Sequence, residues 1–335
     1  MLTAVASLAG FVVATVTALV LYAWVQEHRS DRIPVLLYHR FLSKTAFDRG
    51  EIASTERTYV CFDTDFAAEM QYLHDQGYTT LHLDEFLDVL EGRRPRPARP
   101  IVVTIDDGFR SVYLHAFPVL KRLGMKATFF VTPDPGSANF LKNAPLDVPA
   151  TREELREMSD HGVAIESHGM THRYLTRLDP ATARWELSES KRVLADWFGK
   201  PVRFLAIPSG AYSGAVKRLT RATGYELVFA SRKGTNHPRS DRFALRRLVV
   251  GRGFGAGGMA HLLRPGTGFQ LRLASTAQNA VQGVIGTGGL DRLRLVILGL
   301  PFGPALIRRP LRLVAVAFGA LLVLALLGLG AALLF

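Results

Sequence analysis

Between residues 33 and 250 the chain alternates short apolar runs with longer stretches of helical spacing. Ile33-Pro-Val-Leu-Leu-Tyr38 reads as a buried strand. Phe62 to Gln76 has helical spacing, and Gly77 ends it. Thr79 to Leu83 is a short strand, and Asp84 opens the next helix. A proline-rich connector, Arg93 to Pro100, leads into the β-branched strand Ile101 to Ile105. A helical stretch follows to Leu123, stopped by Gly124, and Ala127 to Thr132 is again a strand. Thr151-Arg-Glu-Glu154 has the form of a capping box, a threonine whose hydroxyl and a glutamate whose carboxylate satisfy each other's backbone amides at a helix start. Val163 to Glu166 (strand), Pro180 to Phe198 (amphipathic helix), Val202 to Ile207 (strand), Ala215 to Thr223 (helix) and Leu227 to Ala230 (strand) complete the series. Strand-helix alternation of this kind marks a parallel α/β fold, and six or more units favour a barrel over a small open sheet.

Outside that region the pattern changes. Leu2 to Val25 and Leu313 to Phe335 carry no charge. Each exceeds the roughly 20 residues that a helix needs to cross a bilayer. The expected organisation is an anchor over 2–25, a catalytic domain over 33–250, a connector over 251–310 and a second anchor over 313–335. A cleaved signal peptide is the alternative for the first run, but no Lys or Arg precedes it and no small-x-small site follows. Gly251-Arg-Gly-Phe-Gly-Ala-Gly-Gly258 reads as a mobile glycine-rich link. Leu293 to Ile307, broken at Pro301-Phe-Gly-Pro304, reads as an interfacial or looped stretch.

Charge adds little to this and excludes something. The formal net charge is +12 over 335 residues. No basic-aromatic motif of a nucleic-acid reader accompanies it, so the basic surface is expected to face anionic lipid or glycan rather than nucleic acid. Arg29 and Arg32 follow the first run, and Arg308, Arg309 and Arg312 precede the second. The positive-inside rule would then put the middle of the chain in the cytoplasm, although the rule is weak for a long intervening domain. Cys61 is the single cysteine, so no internal disulfide can form. Oligomeric state is not legible.

The chemistry sits just past the strand ends. His39 follows the first strand, Asp106 and Asp107 follow Ile105, Ser167 and His168 follow Glu166 with His172 four residues on, and Pro208, Ser209 and Gly210 follow Ile207. In a (β/α) barrel, the loops at those ends build the active site. His168 and His172, spaced to share one side of a helical turn, join a carboxylate to offer two imidazoles and one acid to a divalent metal with open positions. The two adjacent carboxylates at 106 and 107 would repel unless a cation lay between them or one held a proton. A metal on one leaves the other free as a base. Zinc suits this donor set, as do cobalt, nickel, manganese and iron.

Five motifs, "PVLLYHRF" (34–41), "TIDDGF" (104–109), "KATFFV" (126–131), "SHGMTH" (167–172) and "FLAIPSGAYS" (204–213), occur in an order that resembles the polysaccharide deacetylase family. This is the NodB-homology, or carbohydrate esterase family 4, group, and the likeness is greatest to its poly-β-1,6-N-acetylglucosamine N-deacetylase branch. The resemblance covers about residues 33 to 250. It implies a distorted (β/α) barrel, here flanked by N- and C-terminal transmembrane helices, and hydrolysis of an N-acetyl group on an amino-sugar glycan. It implies Asp106 as catalytic base, Asp107, His168 and His172 as metal ligands, and His39 as the acid. The family's late Leu-x-Leu-His motif has no counterpart; Ala244-Leu-Arg-Arg-Leu-Val249 stands near its place.

Two departures bear on the site. Ser209 replaces a usual tyrosine, which leaves a backbone N–H near Pro208-Ser209-Gly210 as the expected oxyanion donor and removes an aromatic wall for the sugar. Gly169 replaces a usual Ser or Thr, which would remove one hydrogen bond behind the first histidine. Arg203 could orient Asp106 or lie solvated at a strand edge. His237 and Asp241 could line the cleft or serve the surface, and Trp185 and Trp197 are expected in packing roles. Two other functions fit the motifs: an N-deacylase or deformylase of a lipid-linked saccharide held at the bilayer, and a non-catalytic glycan-binding module in an export complex. The resemblance favours a membrane protein with its domain outside the cytoplasm, against the charge rule.

Overall fold

The computed structural model describes residues 2–50, 57–134, 136 and 148–276. Contacts divide the chain into Ser30–Arg264 and a second unit drawn from Met1–Arg29 and Pro265–Phe335. The first unit is the barrel. Its strands, in chain order, are β1 (Val35–Tyr38), β2 (Arg40–Leu42), β3 (Val60–Phe62), β4 (Thr79–Thr80), β5 (Pro100–Ile105), β6 (Ala127–Val131), β7 (Val163–Ser167), β8 (Phe204–Ala206), β9 (Leu227–Lys233) and β10 (Leu245–Val249). Seven of them run side by side in the order β1-β10-β9-β8-β7-β6-β5, and β5 returns to β1, which closes a parallel ring. β4 pairs with the first two residues of β5, where β6 does not reach. β2 and β3 form a separate parallel pair.

The fully buried pattern of β5 follows from coverage on both sides: barrel interior on one face, helices on the other. Its one hydroxyl, Thr104, donates to the Leu36 carbonyl at 2.6 Å. Inside, Val35, Val102, Phe130, Phe204, Leu227, Phe229 and Leu245 meet in one apolar cluster. The helix Pro180–Phe198 starts and stops where its sequence dictates. Asp179 accepts from the Ala181 and Thr182 amides, and Pro180 occupies the first turn. Gly199 closes the helix at φ 63°. Ala183, Glu186, Leu187, Ser190 and Leu194 form its buried face, a helical stripe containing two polar residues.

The hydrophobic pattern does not predict β10. Its order Leu-Arg-Arg-Leu-Val breaks the alternation that marks a strand, because Arg247 points into the barrel while Arg246 donates to the Lys233 carbonyl. The glycine-rich link is also not free. Gly253 N donates to Asp65 at 2.7 Å and Gly255 N to Glu69 at 3.1 Å, and the helix Gly255–Leu262 lies on the helix Asp63–Asp75. Glycine suits both positions because their φ values, 72° and 52°, lie in left-handed backbone.

In the second unit, Leu2–Glu27 is the helix that its sequence predicts. Among the described residues, no helix is long and apolar enough to cross a membrane. Glu27, fully buried, pairs with Arg272 at 3.3 Å within this unit. The expectations for 293–307 and 313–335 lie outside the described residues.

β7 and β8 share a single residue pair, Ser167 with Leu205. Glu166 fills the gap below it: one carboxylate oxygen accepts from Arg203 N at 2.9 Å and Phe204 N at 2.8 Å. Burial raises the Glu166 carboxyl to about 8. The unfolded chain therefore releases this proton near 4.5 while the folded chain keeps it to about 8, so stability falls as pH rises across that window. Glu166→Gln keeps an acceptor for both amides and cannot titrate. The melting temperature of Glu166→Gln is expected to decline less than that of the parent between pH 4.5 and 8; equal slopes in a calorimetric pH series would refute this role.

Candidate active site at the carboxyl ends of the strands

Every residue that the motifs pointed to lies at one end of the barrel. The end is held in register by short backbone bonds: Asp106 N to Tyr38 O at 3.0 Å, His168 N to Val131 O at 2.9 Å, and Val250 N to Leu37 O at 3.0 Å. Asp106 continues the inward face of β5 and is 2% exposed. Asp107 leaves that path. Its φ of 84° turns the second carboxylate toward the rim, and Gly108 at φ 102° completes the turn against Val131.

The two carboxylates thereby have different partners. Arg247 grips Asp106 with two parallel bonds, Nη1 to Oδ1 at 2.7 Å and Nη2 to Oδ2 at 2.8 Å, the geometry in which a guanidinium holds a carboxylate most firmly. Burial resists ionisation of Asp106, but Arg247 and His168 outweigh it and hold the carboxyl below its usual value. Asp107 Oδ1 lies 3.4 Å from His168 Nε2 and 3.3 Å from His172 Nε2. Burial opposes its ionisation too, yet the bonds from His168 and His172 put it well below the ordinary carboxylate range. For His168, burial works against the charged ring, but Asp106 and Asp107 prevail and raise its pKa. The pocket thus draws positive charge to one point.

That point fits a metal ion. One donor atom from each of Asp107, His168 and His172 lies within 4.8 Å of the others. Two donors about 2.0–2.1 Å from a tetrahedral ion would sit about 3.3–3.4 Å apart, which matches both Asp107–imidazole distances. His168 Nδ1 is 2.8 Å from the Ala206 carbonyl, which fixes that nitrogen as the donor and leaves the Nε2 lone pair for an ion. The hydrogen bond expected to be missing behind the first histidine is thus made from the backbone. Gly169 itself is required: at φ 76° a Cβ would meet Pro208 Cγ at 3.1 Å.

The imidazoles do not share a helical turn. Residues 168–174 form a loop, and His172 reaches back at φ 58° to bring its ring centroid 5.0 Å from that of His168. Ser209 has φ 56° within the turn Pro208–Gly210, where Gly210 N donates to Ile207 O at 2.8 Å. Among the described residues, Asp107, His172 and Ser209 are the non-glycine residues with positive φ, and all three belong to this site. His39, past β1, is partly buried. Burial lowers its pKa, while Asp107 and Asp106 pull it upward. Its ring lies 4.9 Å from Tyr59, which is exposed.

Other candidates fall elsewhere. Arg203 pairs with Glu226 at 2.7 and 2.8 Å, not with Asp106. Asp241 pairs with Lys217, and buried His237 accepts from Arg239 N at 3.2 Å. Trp185 is exposed, and Trp197 stacks under Arg152. Arg247 is the partner of Asp106 that sequence reasoning missed; two arginines, 246 and 247, inside an otherwise apolar run at 244–250 were the available signal.

A parallel barrel with an Asp-His-His cluster beside an arginine-clamped aspartate gives the fold a candidate metal site of a kind that hydrolases use. The comparisons agree. The family model "Polysaccharide deacetylase" matches residues 93–228. The Bacillus subtilis protein named "Putative polysaccharide deacetylase YxkH" is 30% identical over 232 residues, covering 69% of this chain and 76% of that one. The poly-β-1,6-N-acetyl-D-glucosamine N-deacetylase of Staphylococcus epidermidis is 26% identical over 205 residues, 58% of this chain and 69% of its own. The structure of IcaB from Ammonifex degensii superposes with a TM-score of 0.59 at 26% identity, over 70% of this chain and 98% of that one. The chain belongs to the polysaccharide deacetylase family.

Arg247→Lys keeps a positive charge and loses the two-point grip. It is expected to lower kcat by about 10²-fold while bound metal per chain stays at the parent value. Unchanged kcat in steady-state assays would show that Asp106 needs no clamp.

Proposed function

We propose that this chain hydrolyses N-acetyl groups from a poly-N-acetylglucosamine-type glycan, with a divalent metal, zinc by donor set, held by Asp107, His168 and His172. One observation carries the reading: two adjacent carboxylates have separate counterions, so one is free for proton transfer while the other faces the imidazoles. The bound ion would polarise the acetamide carbonyl and lower the pKa of water. Asp106, kept ionised and aimed by Arg247, takes the proton from the attacking water. In the proposed reaction a backbone N–H at the Ser209 turn donates to the oxygen on which negative charge develops. His39 delivers a proton to the departing amine, and Asp107 and Asp106, which pull its pKa upward against burial, favour the charged ring. Tyr59, exposed beside His39, offers the sugar an aromatic face where Ser209 does not.

The substrate class rests on the relatives' named activity. Attachment to a bilayer, with the barrel on the extracytoplasmic side, rests on the charge-free run 313–335 and on the resemblance. Acetate release from β-1,6- and β-1,4-linked N-acetylglucosamine oligomers tests the reaction. Asp106→Asn is expected to abolish release while retaining one metal per chain, and His172→Ala to lose the metal. Full release by Asp106→Asn would remove the base assignment. Metal-loaded parent protein that releases nothing from any oligomer would redirect the substrate to a lipid-linked saccharide.

A further inference from the structure

We propose that Glu186 is a positioning residue that sets His172 for metal binding. The inference rests on the metal reading of the site. Glu186 lies on the buried face of the helix Pro180–Phe198 and is 0% exposed. Packing alone would be served by an apolar side chain, since a buried carboxylate is costly unless its oxygens are used. Here both are used, and by one residue. Oε2 accepts from Thr171 N at 2.9 Å, and Oε1 accepts from the Thr171 hydroxyl in a short bond. The Glu186 backbone carbonyl accepts in addition from Met170 N at 3.1 Å.

These three bonds govern the span between the two histidines. His168 needs no help from Glu186, because the β7 strand, Val131 O and Ala206 O already fix it. His172 has no strand behind it and adopts φ 58°. That left-handed conformation is disfavoured for any residue with a Cβ. The loop must be forced into that turn, and Thr171, the residue before it, is held on both its amide and its hydroxyl. The helix therefore reaches under the loop and sets where the His172 imidazole points. Partners of this kind behind a metal ligand are worth about 10- to 100-fold in affinity.

The test is a zinc titration of the full chain against a competing chelator, with melting temperature recorded for each variant. Glu186→Leu and Thr171→Val are expected to bind zinc at least about tenfold more weakly than the parent, at temperatures where both are fully folded. Glu186→Gln should stay within about threefold, because its amide oxygen accepts the Thr171 amide and its NH₂ can donate to the hydroxyl. A role limited to stability would lower the melting temperature and leave native-state zinc affinity unchanged. Affinity within about twofold of the parent in both Glu186→Leu and Thr171→Val would overturn the proposal. If Glu186→Leu does not fold, Thr171→Val alone decides by the same criterion. Equal losses in Glu186→Gln and Glu186→Leu would overturn it differently, assigning the effect to charge. A parent protein that holds no zinc would overturn the site reading and this inference together, which separates the two failures.

Discussion

Two neighbouring carboxylates, buried at the end of a strand, must each be neutralised, and the site is organised around that requirement. Like charges on adjacent residues repel strongly in a medium of low dielectric unless positive charge is placed against them or one takes up a proton. The backbone separates them. Asp106 stays on the inward face and meets Arg247, while the positive φ at Asp107 turns the next side chain to His168 and His172. In the proposed reaction, division of partners becomes division of labour: one carboxylate would move the proton and the other would hold the cation. Replacing either partner would disturb both roles, because His168 lies 3.9 Å from Asp106 as well.

The strain at the site has a location and a support. Asp107, His172 and Ser209 occupy left-handed backbone. Such residues cost about 1–3 kcal/mol each. The second is braced by a helix of ordinary geometry, whose Glu186 carboxylate holds Thr171 on both its amide and its hydroxyl. A closed barrel with an apolar interior can sustain such a cost, since its stability comes from residues that take no part in the chemistry.

Much of this was legible in the chain. The strands that carry Asp106, His168 and Pro208 are apolar runs of simple pattern, and the helix Pro180–Phe198 carries its own start and stop residues. The base, the three ligand candidates and His39 were named from residues and resemblance and converge in space. What escaped notice shares one cause: groups whose partners are distant in sequence. Arg247 reads as an interruption in an apolar run until Asp106, 141 positions earlier, is placed beside it. The glycine-rich link reads as loose because Asp65 and Glu69 lie 188 and 186 positions away. The loop at His172 reads as helical because spacing alone does not report the sign of φ.

The first barrel strand closes the ring by pairing with both β5 and the last strand, β10. Biosynthesis runs from one to the other. A ribosome-bound chain that has emerged as far as β9 already contains Asp106, Asp107, His168 and His172, but it lacks the guanidinium that one of those carboxylates requires. Such a chain carries an unanswered negative charge at the place where its barrel must close. Completion of the last strand delivers the counterion and the final edge in one step, so Asp106 acquires its final geometry when the fold becomes whole.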